Sequence, residues 1–167
     1  MNAAKLITKA TLAIAVAGFF AGAAMAQTAQ TPATPNPAEA TYKDIEATLG
    51  IVPSFFKAFP QSGITGAWSE MKNLQLSDKT AVSPKNKQLI SLAVAAQIPC
   101  AYCVHFHTVA AKANGASDEE IKEAVAMGAM TRHWSTVLNG MSIDLGTFKS
   151  EVATVMKIAS ERAGKSQ

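Results

Sequence analysis

Cysteine occurs twice in the 167 residues, at Cys100 and Cys103 within QIPCAYCVHFHT, and His105 and His107 follow closely behind. Side chains of these types at this spacing can serve a redox dithiol, a zinc site, a haem attachment or a plain crosslink. Haem attachment needs His directly after the second cysteine, and Val104 stands there instead. Pro99 stops the preceding helix. A new helix opens at Cys100 or Ala101, so both thiols fall in its first turn, where unpaired N–H groups and the macrodipole favour a thiolate. His107, four residues beyond Cys103, shares that face and can stabilise the thiolate or move its proton. His105 points roughly 160° away from His107 by helical geometry. Zinc could use Cys100, Cys103 and His107, one short of the four ligands a structural site takes. A disulfide closing so short a loop removes only about 2 kcal/mol of chain entropy, against ~3 for a loop of about fifteen residues. These residues read best as a redox dithiol, with a structural disulfide or a zinc site as the alternatives.

The elements that hold this stretch are written locally. In SPKNKQLISLAVAAQIP, Ser83 is an N-cap, Pro84 occupies the first helical position, and Leu89, Leu92, Ala93 and Ala96 form an apolar stripe. The cysteine helix runs to Asn114, and Gly115 fits the left-handed position that ends helices. Ser117 and Glu120 make a capping box ahead of IKEAVAMGAM. A last helix spans Thr147 to Ala163, with Phe148, Val152, Val155, Met156 and Ala159 on one side. Upstream, Pro53 starts a short helix and Pro60 starts the next, which carries Trp68 and Met71. No alternating β-branched run is long enough for a strand, so the fold class is all-α.

The N-terminal residues have another character. Lys5 and Lys9 precede an apolar run that closes on Ala24, Met25 and Ala26, the pattern of a secretory signal peptide over residues 1–26, cleaved after Ala26. The protein is then periplasmic or secreted, from a bacterium. Residues 27–37, rich in Thr and Pro, read as a disordered tether, and residues 38–167 as one helical domain. Loss of Lys5 and Lys9 turns 15 basic against 12 acidic residues into 13 against 12. Such a nearly neutral chain with scattered Lys and Arg predicts no nucleic acid partner and no membrane partner after cleavage. About 140 remaining residues suffice for one domain with a real core.

The stretch SPKNKQLISLAVAAQIPCAYCVHFHTVAAKANGASDEEIKEAVAMGAM resembles the core of the AhpD-like family, within the carboxymuconolactone decarboxylase superfamily. LGIVPSFFKAFP before it and RHWSTVLNG after it share the resemblance, which covers nearly all of the domain. The resemblance implies an all-helical fold assembled into homotrimers or larger rings. It also implies a thiol-dependent peroxidase or disulfide reductase that needs no cofactor and no metal. Cys103 then matches the peroxide-attacking cysteine, Cys100 the resolving one and His107 the histidine of a proton relay. The substrate is a hydroperoxide or a disulfide, and an external dithiol restores the thiols. Two positions depart from the family pattern. Gln88 stands where a Glu commonly serves as the relay base, and an amide cannot take a proton. Tyr102 stands where some members have His, and its phenol titrates near ~10. Gln88 reads equally as an ordinary exposed helix residue, and His133 and Trp134 read as core or subunit-interface packing. A lactone decarboxylase of the same superfamily is a second enzymatic reading, against which the cysteine pair argues. A non-catalytic scaffold with a static disulfide or zinc is the third.

Overall fold

The computed structural model describes residues 36–165, and every regular element among them is helical. The expected signal peptide lies outside the described residues, as does the tether up to residue 35. No helix among the described residues is long and apolar enough to cross a membrane.

Helix α1 (Pro37–Leu49) begins where the Asn36 side chain accepts the Ala38 N–H at 3.0 Å and Pro37 supplies a preset φ. Pro37, assigned to the tether on sequence, therefore belongs to the first turn of a helix. Gly50, at φ 81°, ends α1 in the left-handed conformation and returns its N–H to Glu46 at 2.8 Å. The short α2 (Ser54–Ala58) follows, then α3 (Ile64–Glu70). Pro60 does not start α3: it opens a turn in which Gly63 N–H bonds the Pro60 carbonyl at 3.0 Å, and the helix begins four residues after Pro60. A first small core forms here, where Ala38 and Ile45 of α1 meet Phe56, Ile64 and Trp68. The indole N–H of Trp68 donates to Asp44 at 2.6 Å, so the polar edge of this buried ring is satisfied.

α3 widens at its end into a π-turn (Met71–Gln75), closed by Leu76 N–H to Met71 O at 2.9 Å. Next come α4 (Pro84–Gln97), α5 (Ala101–Ala113), α6 (Asp118–Gly140) and α7 (Leu145–Gly164). α4 packs against both α5 and α6. Its buried line is Gln88, Leu92 and Ala95 rather than the expected Leu89, Leu92, Ala93 and Ala96 stripe, whose other members are only half-buried. A one-residue rotation of the stripe is enough to turn Gln88 inward. α4 and α6 approach closely at Gly128, where an added Cβ would lie 2.9 Å from the Ala93 carbonyl oxygen. Their ends are joined by Lys85 to Glu120 at 2.6 Å and by Arg132 to Gln97 at 3.2 Å.

α6 starts with the expected capping box: Ser117 accepts from Glu120 N–H at 3.1 Å, and the Glu120 carboxylate accepts from Ser117 N–H at 2.8 Å. α7 starts two residues before the expected Thr147, because Asp144 accepts the Thr147 N–H at 2.7 Å as its N-cap. Neither α6 nor α7 buries any residue. Trp134 is 53% exposed and its ring stands edge-on to that of His133, so of the core and subunit-interface readings of that pair the core one is corrected. The apolar side of α7 is likewise open, with Met156 62% exposed.

Candidate functional site

Cys100 is the N-cap of α5, and its Sγ accepts the Cys103 N–H at 3.2 Å. Pro99 before it cannot continue α4, so the chain turns and restarts as a helix at this point. Cys100 and Cys103 are joined in a disulfide, with Cα atoms 5.3 Å apart, and both are half-buried. The inward side of α5 then continues through Val104, His107, Thr108 and Ala111, at three and four spacing. His107 thereby faces α4, while His105 is exposed.

Three polar side chains from three elements meet at His107. Gln88, only 3% exposed, places its Oε1 2.8 Å from His107 Nδ1. An amide oxygen can only accept, so Nδ1 carries the proton and the neutral ring keeps a lone pair on Nε2. Gln75, at the end of the π-turn, places its Nε2 3.4 Å from His107 Nδ1 and 3.5 Å from Gln88 Oε1. With Nδ1 already donating, the acceptor left to the Gln75 amide is Gln88 Oε1. The adjoining Lys87, also buried, donates through Nζ to the carbonyls of Leu74 and Ser77, at 2.6 Å each. That pair of bonds holds both sides of the segment that carries Gln75.

Burial pushes the His107 pKa below its ordinary value, and no neighbouring charge offsets this. The ring is held as a neutral imidazole, a base rather than a cation, one helical turn after Cys103. Gln88 and His107 are thus brought together, with Cys103 one helical turn before His107. Tyr102 is not brought in: its side chain is 89% exposed. The reading of Gln88 as an exposed surface residue is corrected by its burial. Among the described residues no three His, Cys, Asp or Glu side chains gather where they could hold a metal ion.

Residues 64–143 match the family model described as the carboxymuconolactone decarboxylase family. The helices also superpose on the alkylhydroperoxidase AhpD core from Rhodospirillum rubrum, with a TM-score of 0.57 and 26% identity over 65% of this chain and 82% of that one. Residues 64–143 are thus similar to the carboxymuconolactone decarboxylase family, and the fold is AhpD-like. No curated protein matches it.

The matched span of this AhpD-like chain contains α3, the π-turn and α4 to α6, and therefore Gln75, Gln88, the disulfide and His107. α1, α2 and α7 lie outside it. Gln75 was not among the residues singled out on sequence. Its only signal is a polar side chain in MKNLQLS, and nothing in that string marks a π-turn or a contact with His107, 32 residues away.

Proposed function

We propose that this AhpD-like protein is a thiol-dependent oxidoreductase in which the Cys100 and Cys103 couple reduces a hydroperoxide or a disulfide. In the reduced protein, His107 Nε2 accepts the Cys103 thiol proton and the thiolate attacks the terminal peroxide oxygen. The O–O bond breaks, the alkoxide takes a proton to leave as an alcohol, and Cys103 becomes a sulfenic acid. The Cys100 thiolate then attacks the Cys103 sulfur, releasing water and forming the Cys100 to Cys103 disulfide. With a disulfide substrate, the first attack gives a mixed disulfide that Cys100 resolves in the same way. An external dithiol returns the couple to the thiol state.

The observation that carries this reading is a disulfide in the first turn of α5, one turn from a half-buried, neutral histidine. The test is to reduce the protein, add a hydroperoxide and follow the return of the disulfide. In Cys100→Ser a sulfenic acid should accumulate at Cys103, and Cys103→Ser should be inert. Equal loss of thiols at both positions with no disulfide formed would reject the mechanism.

A static disulfide is the second reading, favoured by the capping bond that the Cys100 sulfur makes to Cys103 N–H. It predicts that trapping the thiols in cells before and after peroxide finds the couple always oxidised. The chain is further proposed to be exported by residues 1–26 and to work in the periplasm, where the reductant must be a dithiol of that compartment.

A further inference from the structure

The proton relay around His107 contains one residue that the reading above leaves without a task. Gln75 reaches the Gln88 and His107 pair from a different element, on a π-turn whose flanking carbonyls, Leu74 O and Ser77 O, are both bound by the Lys87 ammonium. π-turns cost hydrogen-bond geometry and recur at functional sites. Here the extra residue in the turn is closed by Leu76 N–H to Met71 O, and Gln75 lies within that loop.

A carboxamide facing an imidazole can present either its oxygen or its NH2, and the choice decides the tautomer of the ring. With oxygen toward Nδ1, the ring proton sits on Nδ1 and Nε2 is free to accept. With NH2 toward Nδ1, the proton moves to Nε2 and the ring can no longer take one from a thiol there. A second amide NH2 within reach of Gln88 Oε1 gives the oxygen orientation an additional donor. We propose that Gln75 is a positioning residue for the Cys100 and Cys103 chemistry: its amide fixes the orientation of Gln88, so that His107 keeps its proton on Nδ1 and offers Nε2 as base. This rests on the thiol oxidoreductase reading for its purpose, though not for its geometry.

The charged groups on the surrounding elements are occupied elsewhere. Lys87 on α4 is bound to the two carbonyls, Lys85 on α4 to Glu120 of α6, Arg132 of α6 to Gln97, and Lys112 of α5 to Asp118. His105 on α5 is exposed. The tautomer is therefore set by the two amides rather than by an ion.

The test uses the mature chain with Gln75→Leu and Gln75→Asn, the second keeping the amide but shortening its reach. Nitrogen-15 shifts of the His107 ring report the tautomer directly, and the pH profile of disulfide formation after peroxide reports its use. Gln75 is only half-buried, so both variants should fold. Expected are a His107 ring moved toward the Nε2–H form in both and a rate lowered on the order of tenfold, the low end of what orienting outer-shell partners contribute. Gln75→Glu, which places an acceptor-only, charged group beside the ring, should raise the His107 pKa and shift the rate profile with it. Unchanged nitrogen shifts in Gln75→Leu and Gln75→Asn would overturn the proposal, whatever happens to the rate. A shifted tautomer in a protein that never turns over peroxide or disulfide would uphold the positioning and instead defeat the oxidoreductase reading.

Discussion

At the scale of single residues, the site is a histidine held by amides, and this has measurable results. Gln88→Glu puts a carboxylate 2.8 Å from His107 Nδ1, where it can accept the same proton with a full charge. General acid-base assistance is worth on the order of 10²- to 10⁴-fold, so disulfide formation after peroxide should speed up. The same charge raises the thiol pKa, so the gain should appear mainly above neutral pH, in a stopped-flow pH profile of the two proteins. The neutral histidine also predicts a pH dependence of folding. Its pKa is depressed in the fold, so below the unfolded value of ~6.5 the unfolded chain binds more protons and stability falls with pH. Urea denaturation at stepped pH should show this loss starting near ~6.5, well above the acid range of Asp44, Asp118, Glu120 and Asp144, all lowered by their own partners, and His107→Gln should remove it. Cys100, Cys103 and His107 were legible in the sequence because their relation is local, one helix and two turns. The burial of Gln88 was not, since reading the α4 stripe one residue over leaves it on the surface, and Gln75 was hidden by a π-turn that propensity does not mark.

At the scale of elements, two helix features carry predictions. After reduction, the Cys100 thiolate keeps the Cys103 N–H that its sulfur now accepts, so one thiol should titrate clearly below ~8.5. Thiolate absorbance of the reduced protein, with each Cys→Ser variant as control, measures it, and two thiols titrating at or above the free value would remove the reactive-dithiol reading. Gly128 marks the closest approach of α4 and α6. Gly128→Ala gains about 1 kcal/mol of helix propensity, but its Cβ meets a backbone oxygen at 2.9 Å, and overpacking of that kind costs ~1–3 kcal/mol. The net effect should be destabilising, visible as a lower denaturation midpoint with unchanged slope. Helix caps were the most legible feature at this scale: Ser83, Gly115 and the Ser117 and Glu120 box each act through neighbours a few residues away. The start of α3 was read wrongly, where a proline turn competed with the chosen residue, and α7 starts two residues early at its aspartate cap.

At the scale of the whole molecule, α6 and α7 hold no fully buried residue, yet carry Met127, Met130, Trp134, Phe148, Val152 and Met156 in exposed positions. Exposed apolar surface of this extent marks an interaction face, and we propose that other copies of the chain cover it, as a homotrimer or a multiple of it. Light scattering on the mature protein should find that mass, and Val152→Lys with Met156→Glu should lower it toward the monomer. A monomeric wild type at micromolar concentration would remove the proposal. The sequence announced the helices and their greasy sides, but periodicity cannot say whether a stripe meets its own chain or another. The 20 residues of α7 have a further consequence. Most helical stability in proteins comes from packing an amphipathic face, and among the described residues α7 buries no side chain of its own. Its coil must then be held by association, which obeys mass action. Dilution alone, with no heat and no denaturant, should bleed away helical ellipticity, while the compact trio of α4, α5 and α6 stays wound.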